Sequence, residues 1–222
     1  MKISQRTLGR AGFTLIELLI VVTIIALLFA LTVGGFTYAQ RSAARSKTAA
    51  TIKAVQSALE RYNAEFGEYP EPANPGDTIS IRDKTYTVAG ATMLYQAMSG
   101  DGYDAIKIAV PPANAGAPQS DGNIDENEAK NIMLTDMPKE VWKMQDGRYY
   151  LIDGFGNPLQ YIRGVAQNLT GAGGGSTTPT TINSHYDIWS YGEDEENTMA
   201  TSLETNTGGT LKLASEKWIK NW

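Results

Sequence analysis

The chain has 222 residues, with 19 Lys and Arg against 24 Asp and Glu, one histidine and no cysteine. A formal charge of −5 argues against a nucleic-acid surface as the main function. The lack of cysteine excludes disulfides and thiol nucleophiles, and a single histidine, His185, excludes histidine-based metal clusters. The length suits one domain beyond an anchor, with room for a small insertion.

Three basic residues, Lys2, Arg6 and Arg10, precede Gly12-Phe13-Thr14-Leu15-Ile16-Glu17, and an apolar run follows to about Phe36. Between Phe13 and Phe36 the only ionisable side chain is Glu17. At about 1.5 Å per residue such a run crosses a hydrocarbon core of roughly 30 Å as a helix. A secretory signal has an apolar core of about 7–15 residues ending at a small-residue cleavage site, and this block is longer. Insertion scales put an Asp at roughly 2.5–3.5 kcal/mol at mid-membrane, less near an end, so Glu17 needs a cationic partner or a headgroup-level position.

Gly followed by Phe-Thr-Leu-Ile-Glu, after a basic leader and before an apolar helix, resembles the prepilin signature of type IV pilins and type II secretion pseudopilins. The resemblance implies cleavage after Gly12 by a membrane-embedded prepilin peptidase and N-methylation of the new terminus, Phe13. It also implies that Glu17 pairs with the α-amino group of Phe13 on a neighbouring subunit. Removing residues 1–12 leaves 16 basic against 24 acidic residues, a net −8. Arg41, Arg45 and Lys47 beyond the span balance the three leader cations, so loop charge alone does not orient the helix. The resemblance places the leader in the cytoplasm and the bulk of the chain on the periplasmic side of the inner membrane.

Past Phe36 the helical pattern continues. Ile52, Val55, Leu59, Tyr62 and Phe66 recur at steps of three and four, which predicts one helix from about residue 13 to 66, ended by Pro70 and Pro72. Residues 13–36 form its membrane half and residues 37–67 the half beyond. Gly34 and Gly35 at the junction each cost about 1 kcal/mol relative to Ala; they are either tolerated glycines near the membrane edge or, as the resemblance to pilins implies, a joint that bends or melts during assembly.

Residues 68–222 form a head. Ile79, Ile81, Tyr86 and Val88 predict a hairpin around Asp83, residues 92–98 a helix, and Ala105–Val110 an apolar run of either type. Residues 111–122 and 171–183, rich in Gly, Pro, Ala, Ser or Thr, predict loops. Residues 149–152 and 159–162 predict strands of one hairpin joined by Asp153-Gly154-Phe155-Gly156-Asn157-Pro158. That run resembles the D-P-W-G-N-P hairpin of the G-type, or major, pseudopilins. Tyr186-Asp187-Ile188-Trp189-Ser190-Tyr191-Gly192 and the closing Trp218-Ile219-Lys220-Asn221-Trp222 resemble two further strands of that family. Residues 100–147 have no counterpart there and read as an insertion.

The expected fold is α+β, a long N-terminal helix packed on a small antiparallel sheet. No P-loop, dinucleotide fingerprint, H-E-x-x-H or G-x-S-x-G motif is present, so the chain is not expected to be an enzyme. Asp121, Asn123 and Asp125 alternate as calcium ligands do, although Glu126 stands where an EF-hand loop has glycine and Ile132 where it has glutamate. The resemblance to G-type pseudopilins also implies a possible calcium site near Asp187 and Asp194, in the acidic stretch 193–196. It further implies a self-assembling filament working with minor pseudopilins, an inner-membrane assembly platform and membrane lipid, in protein secretion. A surface type IV pilus subunit for adhesion, motility or DNA uptake is the alternative.

Overall fold

The fold is that of a computed structural model, which describes residues 12–72, 75–102, 120–126, 128–135, 137–164 and 180–222. Leader residues 1–11, the run 105–110, most of the 111–122 loop and most of the 171–183 stretch lie outside these ranges. The architecture is α+β: one long N-terminal helix followed by small antiparallel sheets. The chain divides into two units, residues 1–42 and 43–222.

The helix α1 runs Leu15–Phe66 without interruption and so belongs to both units. In the first unit every described residue is exposed. Its most apolar 18 residues have a mean hydropathy of 2.8, and the helix is long and apolar enough to cross a membrane. The hydroxyls of Thr23 and Thr32 donate to the carbonyls of Leu19 and Leu28, each at 2.8 Å, so these polar groups are satisfied within the helix. Gly34 and Gly35 are helical, with nothing within 4 Å of where a side chain would be added.

In the second unit α1 turns one stripe inward. Thr48, Thr51, Ile52, Val55, Ala58, Leu59 and Tyr62 are buried, and Phe66 packs at the edge of the same cluster. The predicted stripe is therefore the buried face. The helix ends at Gly67, whose φ of +77° lets its N–H reach back to Asn63 O at 2.8 Å. This left-handed cap stops the helix before either proline is reached.

Strands β1 (Thr78–Ile81) and β2 (Lys84–Thr87) form the predicted hairpin, with Arg82 and Asp83 both at positive φ in its two-residue turn. Helix α2 (Ala89–Ser99) follows, is almost wholly buried and packs on the later segments Arg148–Leu151 and Gln160–Arg163. Its Gly90 lies so close to Tyr161 that an added Cβ would be 2.4 Å from that residue's carbonyl oxygen.

Strand β3 (Trp142–Gln145) pairs with β4 (Arg148–Leu151) through an Asp146-Gly147 turn. Strand β5 (Gln160–Arg163) pairs instead with β6 (Tyr186–Ser190), which pairs in turn with β7 (Ile219–Lys220) after the short helix α3 (Gly209–Ser215). The expected hairpin of 149–152 with 159–162 is thus corrected. The turn between them closes through the bridge of Ile152 to Pro158, but its two arms pass into different sheets.

Two apolar clusters result. One joins the α1 stripe to α2, Leu151, Leu159, Tyr161 and Ile188; the other joins β1 and β2 to Tyr150, Trp189, Tyr191 and Trp218. Trp189 meets Trp222 edge-on at 5.7 Å, and Tyr191 meets Trp218 at 4.9 Å. Within 100–147, Met133 is buried in the first cluster, and Trp142 packs against it.

Candidate functional site

The N-terminal site is built by three residues. Gly12, Phe13 and Thr14 precede the first helical residue, Leu15, so the Gly12–Phe13 bond lies in non-helical chain with Phe13 87 % exposed. Thr14 caps α1: its hydroxyl accepts the N–H of Glu17 at 3.3 Å. Glu17 reciprocates, Oε2 accepting the Thr14 N–H at 2.9 Å and the Thr14 hydroxyl at 2.8 Å. Thr14-Leu15-Ile16-Glu17 is therefore a capping box, and the one carboxylate of the span sits in the first turn, where the helix dipole favours negative charge. Thr14 is the residue that sequence reasoning passed over, although the T-x-x-E spacing was there to find it.

The arrangement presents a scissile bond in open chain next to an acid already oriented by its own cap. An amine created at Phe13 would arise four residues before that acid. No other charged side chain lies between residues 13 and 36 to compete for it.

The acidic residues of the head serve its loops. Asp187 is fully buried on β6, and its carboxylate accepts the Ile182 N–H at 2.6 Å, the Asn183 N–H at 2.9 Å and the Asn183 amide at 2.9 Å. Asp194 accepts the Trp218 indole N–H at 2.9 Å, the Asn197 amide at 2.8 Å and the backbone N–H of Glu196 at 3.0 Å. Burial works against its charge, but these donors outweigh it and hold the carboxyl below its ordinary value.

The 121–125 stretch behaves similarly. Asp121 Oδ1 accepts the Asn123 N–H at 2.7 Å, while Asp125 caps a 3-10 turn (Glu128–Asn131) by accepting the Glu128 N–H at 2.9 Å. Among the described residues no three His, Asp or Glu side chains gather as a cation cage. As arranged, the carboxylates of Asp121, Asp125, Asp187 and Asp194 each serve separate loop contacts, and Asn123 donates its backbone N–H to Asp121.

Two buried carboxylates were not singled out by sequence. Asp101 is fully buried and gathers the Tyr95 hydroxyl with the N–H groups of Asp121 and Gly122 at 2.9–3.0 Å, and burial raises its carboxyl above the ordinary value. Asp153, 1 % exposed, anchors the turn between β4 and β5. A cavity of about 370 Å³ also lies beside β5, lined by Pro72, Ala89, Tyr161 and Met199 among others. Glu71 and Arg163 on its wall pair with each other at 3.3 Å. His185 lies elsewhere, its ring against Tyr69 at 5.6 Å.

Residues 8–33 match the prokaryotic N-terminal methylation motif. No curated protein and no solved structure matches the chain. The matched span contains Gly12, Phe13, Thr14 and Glu17, the residues of the capping box and of the bond before it. The chain thus carries a prokaryotic N-terminal methylation motif at the start of its long helix, on an α+β fold.

Proposed function

We propose that the chain is the major, G-type subunit of a periplasmic pseudopilus serving type II protein secretion. The peptidase cuts after Gly12, Phe13 is N-methylated, and the mature helix stays in the inner membrane until it is drawn into the filament. There the Glu17 carboxylate of one copy takes the Phe13 ammonium of the next, which fixes the axial register of the subunits. The observation that carries this reading is Glu17 itself, a lone carboxylate in the first turn of the helix and the one charge of its apolar span, five residues past the glycine. Such a charge is costly in hydrocarbon and is best offset by a cation supplied from another copy.

Support for secretion, in preference to a surface fibre, comes from the head. The 153–158 run, the 186–192 strand and the closing Trp218–Trp222 segment resemble in sequence the corresponding parts of G-type subunits. Mass spectrometry of the membrane-extracted protein is expected to give a mature chain starting at methylated Phe13. Deletion of the gene is expected to block export of folded substrates. Intact export with loss of long surface fibres would assign the chain to a type IV pilus instead. Glu17→Ala is expected to be cleaved normally but to assemble poorly, and unaltered filaments would reject the charge-pairing step.

A further inference from the structure

We propose that Asp153 is a proton-linked clasp that fastens the 153–157 turn, and with it the sheets on either side, to helix α1. The carboxylate is buried at the point where the chain leaves one sheet for the other. Oδ1 accepts the N–H groups of Phe155 and Asn157 at 2.8 and 2.9 Å, and Oδ2 accepts the Ser190 hydroxyl at 2.5 Å. These contacts hold the turn in the one shape that aims the Gly154 N–H at Thr48 Oγ1 on α1, at 2.9 Å. Thr48 is itself buried and bonded to Ala44 O at 2.8 Å. The turn lies flat on the helix there: a Cβ at Gly154 would fall 2.2 Å from Ala44 O.

What makes the clasp responsive is that all its bonds come from neutral donors. The charged and titratable groups on the surrounding elements are Arg45 of α1, beside Gly192; Arg82 of the β1–β2 turn, which donates to Asn157 Oδ1; Tyr86 of β2; and Glu195 of the following loop. None hydrogen-bonds to Asp153. A buried carboxylate without a counter-cation binds a proton more readily than an exposed one. Burial pushes the Asp153 carboxyl up to about 6, against the pull of its hydrogen bonds.

The sign follows from linkage. A carboxyl whose folded value lies above its unfolded value contributes stability in acid, and that contribution is lost as pH rises through about 6. The folded chain therefore draws stability from Asp153 in mildly acidic surroundings and loses that gain at neutral pH. The inference rests on the fold of residues 43–222 and is independent of the filament reading.

The test uses the full chain in detergent micelles. Carboxyl carbon-13 NMR is expected to give an Asp153 titration midpoint near 6, and a midpoint in the ordinary aspartate range would overturn the proposal. Between pH 7.5 and 4.5 the wild-type folding equilibrium constant is expected to rise by on the order of 30-fold more than that of Asp153→Asn, which has no charge to lose. Equal pH slopes for the two proteins would also overturn it. Ser190→Ala removes one donor to the charged form and is expected to move the NMR midpoint higher still, whereas an unmoved midpoint would reject the clasp geometry.

Discussion

At the scale of single residues, Thr14 and Glu17 show how little of the N-terminal site depends on the rest of the protein. The four residues 14–17 close their own hydrogen bonds, so both the cap and the acid are readable from spacing alone. Thr14→Ala is expected to weaken the first turn by about 1 kcal/mol, seen as faster amide exchange at residues 15–18, with Thr14→Ser restoring protection. Asp153, Asp101 and Asp194 are the opposite case. In sequence Asp153 and Asp101 carry no mark and Asp194 reads as a candidate calcium ligand, and only the packing of distant elements reveals which donors meet each. Because the Asp194 oxygens are engaged by Trp218 and Asn197, calcium is expected to leave the unfolding temperature of the chelator-treated protein unchanged. Trp218→Phe, which strands that carboxylate, is expected to cost about 1–3 kcal/mol in the same melting experiment.

At the scale of elements, α1 was legible because two different patterns run through it. An unbroken apolar stretch gives way to a stripe at helical spacing, and the burial of Ile52, Val55, Leu59 and Tyr62 matches that change. Leu59→Ala is expected to destabilise the head by about 2–5 kcal/mol, while Leu27→Ala in the exposed span leaves head unfolding where it was; calorimetry checks both. The strands were harder. Trp142–Gln145 lacks β-branched residues and is only half buried, so β3 was missed, although Asp146-Gly147 is a strong hairpin signal. The 153–158 turn was read correctly from its glycines and Asn-Pro, yet its arms do not pair as strands. Their partners, β3 and β6, are chosen by contacts that a local reading does not contain. Gly154 marks the same limit, since its need for a bare backbone arises from Ala44, far away in sequence. Gly154→Ala is expected to cost about 1–3 kcal/mol by overpacking, measured by thermal unfolding.

At the scale of the whole molecule, the division into residues 1–42 and 43–222 assigns the two kinds of hydrophobic surface to different tasks. Both apolar clusters of the head draw only on residues from Ile52 onward, so its core is complete without the exposed span. A chain beginning at Ala43 is expected to remain folded in plain buffer, with one cooperative unfolding transition by circular dichroism. The long helix and the α+β class were visible in the sequence because each is written in local periodicity. The sheet order was not, because it is settled by which faces meet after the chain has turned back on itself.

The placement of the tryptophans has a practical consequence. All four indoles, at positions 142, 189, 218 and 222, lie in the second unit; Trp189 and Trp218 both meet Tyr191, and Trp222 meets Trp189. Intrinsic emission excited at the indole band therefore reports on the head alone, and the apolar span is dark. Loss of head structure can be followed optically in native vesicles without a label, and quenchers dissolved in the acyl chains have no emitter in the span to act on.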